Sequence, residues 1–360
     1  MTSPDSTVGQ RRAAVVGTGL IGGSIGLALR RLGWHVTGHD RDERAAALAQ
    51  QMGAIDSVGT DPDAEITFVA TPVQAVADAA TAALATTTGI VTDVGSVKAS
   101  IVEAVDDPRF LGGHPMAGSE QEGVEGADPD LFAGAVWVLT PTPGTDDSTY
   151  AALRAVLTDL GADVVALTPG HHDALVAVVS HVPHLTAATL MSLADDRSTE
   201  HRVLLRLAAG GFRDMTRIAS GHPGIWPDIC AENRDAILEV LDGLVESLQE
   251  VRTVVADGDR AGLLAVLEQA RAARANLPTR LAVSVDLREV RIPVPDRAGV
   301  LAEVTTLAGT LDVNIADLEI AHSSEGERGV LILVVEADAA ERLRGGLTEQ
   351  GHRPSVTPLE

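Results

Sequence analysis

Gly17-Thr18-Gly19-Leu20-Ile21-Gly22 lies between the apolar run Ala13 to Val16 and a helical segment, Ser24 to Leu32. In that setting the glycines divide three tasks: a tight turn, close approach of backbone to a pyrophosphate, and close packing of helix on strand. The next strand, Trp34 to His39, ends at Asp40, where a carboxylate can accept hydrogen bonds from an adenosine ribose. That acid suits the free hydroxyls of NAD and repels the 2′-phosphate of NADP, with Arg41 and Arg44 softening the repulsion. The competing reading is a doubly wound domain that binds no dinucleotide, with Asp40 an ordinary solvated acid.

Two further motifs follow strand ends, the edge of an open α/β sheet where ligands bind. One is Asp93-Val94-Gly95-Ser96-Val97-Lys98 and the other Gly112-Gly113-His114-Pro115-Met116-Ala117-Gly118-Ser119-Glu120. Ser96 and His114 are therefore expected beside the nicotinamide end of a cofactor. A neutral imidazole there can accept a hydroxyl proton while hydride leaves the same carbon, as a dehydrogenase acting on an alcohol requires. A histidine in a glycine-rich loop is otherwise more often structural.

Downstream, Ser180-His181-Val182-Pro183-His184 sets a proline inside an amphipathic run, which predicts a kink between two histidines. These histidines lack a nearby third ligand, so no metal is expected, and His171 and His172 are read as linker residues. His184 itself reads as a packed or surface side chain. Arg213 and Arg217, four apart, share a helix face and form a basic patch suited to a carboxylate-bearing substrate. Their plain alternative is a pair of ion pairs with Asp214 or Asp228.

The elements that must position these residues fall into three segments. From Arg12 to about Leu167, strands and helices alternate with the period of a parallel sheet and crossover helices. After Thr168-Pro169-Gly170 the strand signal disappears, and an all-helical segment is expected. Within it Ile237, Leu241, Leu244, Leu248, Val251 and Val255 form a heptad-like seam, either a face turned to its own domain or a helical dimer interface. Beyond Pro278 the order is βαββαβ, a small ferredoxin-like unit. The boundaries are 1–11 for a disordered amino terminus, 12–168 for the dinucleotide-binding domain, 169–278 for the helical substrate and dimerisation domain, and 287–360 for the last unit.

The 360 residues carry 51 acidic against 27 basic side chains, a formal net charge of −24. Such a chain opposes nonspecific binding to nucleic acid or an anionic membrane, so an anionic ligand needs a locally basic pocket. Aromatic residues make up 2% of it, which implies an aliphatic core. One cysteine, Cys230, a polar Met1 to Gln10, and no uninterrupted apolar stretch near the ~20 residues of a bilayer span point to a cytoplasmic protein.

Taken together, Gly17-x-Gly19-x-x-Gly22, Asp93-x-x-Ser96-Val97-Lys98, Gly113-His114-Pro115-Met116-Ala117-Gly118, Ser180-His181-x-Pro183-His184 and Thr216-Arg217-Ile218-Ala219 resemble the prephenate dehydrogenase family of tyrosine biosynthesis. The tail Val294-Pro295-Asp296-Arg297-Ala298-Gly299-Val300-Leu301 resembles an ACT domain, a module that commonly binds an amino acid. The first resemblance implies NAD-linked oxidative decarboxylation of prephenate to 4-hydroxyphenylpyruvate. It assigns His114 to the ring hydroxyl, Ser96 to orienting that hydroxyl and the nicotinamide, and Arg217 to a substrate carboxylate. It also assigns His181 to pocket shape, Glu120 to gating or charge balance, and Arg213 to a neighbouring subunit's site in a homodimer. Ser119 joins the substrate side and Thr71 the cofactor side. In the tail, Ala298 departs from the proline often found there, while Gly299 and Asn314 match ligand-side positions and suggest L-tyrosine as effector. A purely structural, assembly-mediating tail is the alternative.

Three other functions fit parts of the chain. Arogenate dehydrogenase shares the chemistry, and no residue decides between the two substrates. A hydroxyacid or 6-phosphogluconate type dehydrogenase shares the layout, against which stand the Gly113-His114-Pro115 loop and the tail. A redox-inactive NAD and amino-acid sensor lacks any need for His114, Ser96 and Arg217 together.

Overall fold

The computed structural model describes residues 10–119, 121–198, 203–277, 287–295, 297, 299–322 and 328–358. Glu120, Ala298, the boundary at Pro278 and most of the amino-terminal stretch 1–11 lie outside the described residues. The chain forms two compact units, Met1–Val266 and Leu267–Glu360.

The first unit opens with β1 (Arg12–Val16), α1 (Leu20–Arg31), β2 (His35–His39), α2 (Glu43–Gln51), β3 (Ser57–Val58), β4 (Ile66–Val69) and α3 (Val73–Thr86). It continues through β5 (Ile90–Asp93), α4 (Ala99–Ala104), β6 (Phe110–Pro115), β7 (Val136–Thr140), α5 (Asp147–Asp159) and β8 (Asp163–Ala166). One sheet orders these strands β3-β2-β1-β4-β5-β6-β7-β8. The turn chemistry agrees with the boundaries: the Asp42 side chain caps α2 by accepting from the Arg44 N–H at 2.9 Å, and Gly33, at φ +83°, turns the chain just after the end of α1. The core is aliphatic with few rings, Trp34, Phe68, Phe132 and Trp137 being its large aromatic members.

The fully parallel expectation needs correction at the sheet's far edge. β3 through β6 run parallel, but β7 pairs antiparallel with β6 and β8 runs parallel to β7. The cause lies in the β6–β7 connection, which contains a three-residue 3₁₀ turn, Val124–Gly126, and no crossover helix among its described residues. A parallel return needs such a crossover.

The middle segment is helical, as expected: α6 (Pro169–Val176), a π-helical turn (Ala177–His181), α7 (Val182–Ser198), α8 (Gly210–Thr216), α9 (Trp226–Glu232), α10 (Arg234–Ala256) and α11 (Arg260–Ala275). The predicted irregularity at Pro183 takes the form of the π turn, a widening often found at functional positions. From Pro169 to Ser198 the helix is continuous for 30 residues, with an 18-residue window of mean hydropathy 1.5. By length and composition that run suffices to cross a bilayer, contrary to the reading from the sequence. Its His172, Asp173 and His181 are nonetheless buried in hydrogen bonds to other elements, as in the core helix of a folded domain.

The seam on α10 is divided. Ile237 is buried with Ala177 and Val182, and Leu241 and Leu244 pack beside them. Leu248 and Val255 are 56% and 59% exposed.

The second unit contains β9 (Leu287–Pro295), α12 (Val300–Thr310), β10 (Ile315–His322), β11 (Arg328–Glu336), α13 (Ala337–Glu349) and β12 (Ser355–Pro358). Its antiparallel sheet has the order β10-β11-β9-β12. Alternate residues Val290, Ile292, Val294 and Leu331, Leu333, Val335 face the two helices, following the two-residue period of a strand.

Candidate active site

The glycine loop leaves β1 at Gly17, which sits at φ +93° and donates its N–H to the His39 carbonyl at 2.7 Å. A Cβ on Gly17 would lie 2.4 Å from the Ala70 oxygen, and one on Gly22 1.9 Å from the Gly17 oxygen. Both glycines are therefore demanded by the protein's own backbone. A Cβ on Gly19 would meet nothing within 4 Å. Packing does not require that third glycine, which leaves close approach of a ligand as its physical use. Leu20 and Ile21 open α1 without a side-chain cap or a first-turn acid, so the N–H groups at the positive end of the helix dipole stay available to an anion.

Asp40 is tied to this loop. Its Oδ2 accepts from the Thr18 N–H at 2.8 Å and the Thr18 hydroxyl at 3.2 Å, and its Oδ1 accepts from the Asp42 N–H at 2.9 Å. Thr71, just beyond β4, holds a buried hydroxyl oxygen with no hydrogen-bond partner among the described residues. An open cradle, free helix amides, a strand-end acid and an orphan hydroxyl along one sheet edge fit a dinucleotide.

The neighbouring edge is braced by Asp93, at the end of β5. Its Oδ2 accepts from the Gly95 N–H at 2.8 Å and from the fully buried Lys98 ammonium, and its Oδ1 accepts from the Gly113 N–H at 3.1 Å. Burial pushes Lys98 below its ordinary value, against the opposing pull of Asp93. This brace locks the turn bearing Ser96 to β6, which carries His114. Ser96 is half-buried, and His114 is 8% exposed.

Behind His114 lies a chain that the sequence reading missed. His114 Nδ1 is 2.8 Å from His172 Nε2, and His172 Nδ1 is 2.8 Å from Asp173 Oδ1. Asp173 also accepts from the Lys98 and Ala99 N–H groups, each at 2.8 Å. Burial alone would raise its carboxyl, but the hydrogen bonds from His172 and these amides prevail and lower it. A carboxylate only accepts, so His172 Nδ1 carries the proton and its Nε2 accepts from His114 Nδ1–H. His114 is thereby fixed with Nε2 unprotonated. Burial, with His172, Lys98 and His181 nearby, holds its pKa well below the ordinary value, so the ring is neutral at neutral pH and its Nε2 lone pair is free to accept. The signal for this chain was His171-His172-Asp173 directly after a helix-starting Thr-Pro-Gly.

On the helical side, the π turn presents His181, which is buried. Asn233 donates to the Asp173 carbonyl at 2.8 Å and lies 3.2 Å from His181 Nδ1. His181 Nε2 is buried with no partner among the described residues. Burial lowers its pKa to about 4, with His172 adding to the shift and Asp173 opposing it. Trp226 meets His181 edge-on and stacks on His184, with centroids 3.6 Å apart and planes at 14°. The reading of His184 as a packed side chain agrees with that stacking.

The arginines are less confined than their spacing implied. α8 ends at Thr216 and Arg217 begins a 3₁₀ turn, Arg217–Ser220, so the two do not lie on one continuous α-helix. Both are exposed, and neither forms an ion pair among the described residues. Arg213 donates to the Ala208 carbonyl at 3.1 Å, while Asp228, one proposed partner, accepts from Gln74 at 2.8 Å. Ser119 is exposed and accepts from the Gln121 N–H at 3.1 Å. In the second unit Gly299 sits at φ +92° before α12 and Asn314 is exposed before β10.

Comparison with known proteins agrees with this geometry. Residues 25–166 match the family described as prephenate dehydrogenase, nucleotide-binding domain, and residues 168–269 match prephenate dehydrogenase, dimerization domain. The chain is 33% identical over 341 residues to a prephenate dehydrogenase of Bacillus subtilis, covering 90% of this chain and 92% of that protein. The structure of Aquifex aeolicus prephenate dehydrogenase in complex with hydroxyphenyl propionate and NAD+ is similar at a TM-score of 0.69 and 31% identity, covering 74% of this chain and 98% of that one. Synechocystis arogenate dehydrogenase is similar at a TM-score of 0.64 and 33% identity, covering 73% and 98%. The neutral, backed histidine beside a dinucleotide loop thus stands in a chain that belongs to the prephenate dehydrogenase family.

Proposed function

We propose that this enzyme, an NAD-dependent oxidoreductase, converts prephenate to 4-hydroxyphenylpyruvate by oxidative decarboxylation. The observation that carries the reading is the fixed tautomer of His114, whose free Nε2 suits a base for the ring hydroxyl. NAD, when bound, supplies the hydride acceptor. Gly17 to Gly22, Asp40 and Thr71 hold it, and Ser96 orients the hydroxyl and the nicotinamide. Arg217 takes a substrate carboxylate, while His181, Ser119 and Glu120 shape and close the pocket. His114 removes the hydroxyl proton as the carbinol carbon is oxidised, and loss of the ring carboxylate as carbon dioxide makes the ring aromatic.

The test is NADH formation from prephenate and from arogenate, each with NAD and with NADP. Turnover with prephenate and NAD is the expected result. Activity with arogenate alone would keep the site and change the substrate, a reading favoured by the similarity to the Synechocystis arogenate dehydrogenase.

Three parts of the reading concern assembly and control in the cytoplasm. The helical segment 169–278 pairs two subunits through the exposed half of α10, with Arg213 reaching the neighbouring site. The segment 287–360 acts as an ACT-type effector domain, in which Gly299 and Asn314 face an amino acid such as L-tyrosine. Unchanged kinetics with millimolar tyrosine or other aromatic amino acids would sink that last part.

A further inference from the structure

We propose that His172, backed by Asp173, is a second proton station of the reaction, receiving a proton from His114 during oxidation and returning it after decarboxylation. The inference rests on the reading of His114 as the base. Both links of the chain are 2.8 Å long, and His172 is fully buried. When His114 Nε2 takes the substrate's hydroxyl proton, its Nδ1 proton is already aimed at His172 Nε2.

Electrostatics decides where the positive charge rests. On His114 it lies near the Lys98 ammonium and His181, with Asp93 already paired to Lys98. On His172 it touches the Asp173 carboxylate. That adjacent carboxylate stabilises a cation carried by the His172 ring. Asp173 can keep its charge because it lines a solvent-open cleft of about 470 Å³, together with Ala99, Asn233 and Arg234, and accepts two backbone N–H groups.

The atoms balance without any net proton. The hydroxyl O–H breaks and its proton enters the chain at His114 Nε2, while the carbinol C–H leaves as hydride to the nicotinamide. The bond from ring to carboxylate then breaks, its electron pair enters the ring, carbon dioxide departs, and the ring oxygen becomes a phenolate. That oxygen takes the proton back along His172 and His114 to give the phenol. A store that fills and empties in each turnover is therefore sufficient, and no exit to solvent is required.

The test begins with wild-type turnover of prephenate and NAD and proceeds to His172→Gln. A glutamine oxygen can still accept from His114 Nδ1–H, preserving the tautomer and both binding sites, but it cannot hold the proton. The expected result is a fall in kcat of about 100-fold or more with both KM values within about threefold of wild type. A kcat within about threefold of wild type would overturn the relay while leaving the function intact. Two measurements on the wild-type protein guard against a variant that fails to fold. The proton inventory of kcat in mixed light and heavy water should be bowed, for two protons in flight, and a straight line would count against the relay. Histidine ¹⁵N spectra of the cofactor-free protein should show His114 and His172 both protonated at Nδ1, and the opposite tautomer at either ring would overturn it. A wild type silent with both substrates would remove the functional reading and the relay with it.

Discussion

Asp40 and Thr18 are joined twice, the carboxylate accepting from both the N–H and the hydroxyl of the threonine. The residue expected to choose between NAD and NADP therefore also anchors the glycine loop. Asp40→Ser should lower kcat/KM with NAD by roughly 10- to 100-fold, the equivalent of about 1.5–3 kcal/mol for hydrogen bonds to a charged group. The NADP value should fall less, and an unchanged ratio of the two would refute the assignment.

The glycines should separate in their effects. Gly22→Ala forces a Cβ to within 1.9 Å of a backbone oxygen and should destabilise the fold, read as a lower Tm. Gly19→Ala meets open space and should leave Tm unchanged while weakening NAD binding by calorimetry. Equal NAD affinity in Gly19→Ala and wild type would remove the cofactor from that side of the loop.

Arg217→Ala should cost about 2–5 kcal/mol in kcat/KM for prephenate if the guanidinium pairs with a desolvated carboxylate in the complex. NAD affinity should not change. A loss of only a few tenths of a kcal/mol would instead mark a solvated surface charge.

His181 makes stability depend on pH. Its folded pKa of about 4 lies below the ordinary 6.5, so between those values the unfolded chain binds the extra proton. His181 therefore does not limit stability above pH 6.5 and progressively lowers it as pH falls from 6.5 towards 4. Urea midpoints for wild type and His181→Gln should converge over that interval, and parallel curves would contradict the assignment.

Leu248 tests the open half of α10. Leu248→Glu places a charge on an exposed apolar position of the seam and should shift the protein from dimer to monomer in light scattering, with Tm becoming less dependent on protein concentration. An unchanged mass would move the subunit interface elsewhere.

The features legible in the sequence are those enforced by local physics. Gly17 and Gly22 were readable because backbone atoms forbid any side chain there, and the βαββαβ tail because alternating apolar residues record which face is buried. The direction of β7 was not readable, since it depends on what the long β6–β7 connection omits. The His114–His172–Asp173 chain escaped for another reason: His114 and His172 are 58 residues apart, and only the fold makes them neighbours. The π turn was visible as a misplaced proline but not as a particular geometry. His181 is set between Asn233, at its Nδ1, and the edge-on Trp226, neither of which its local sequence reveals.

The scarcity of aromatic side chains gives the molecule a built-in optical probe. Of its three tryptophans, Trp34 lies beneath the Arg11 guanidinium at 3.8 Å and Trp137 is sealed in the core beside Phe68 and Phe132. Trp226 alone lies against the histidines of the helical side. A ligand that disturbs the His184 stack will alter the emission of one indole against two steady ones, so unlabelled protein can report occupancy in real time.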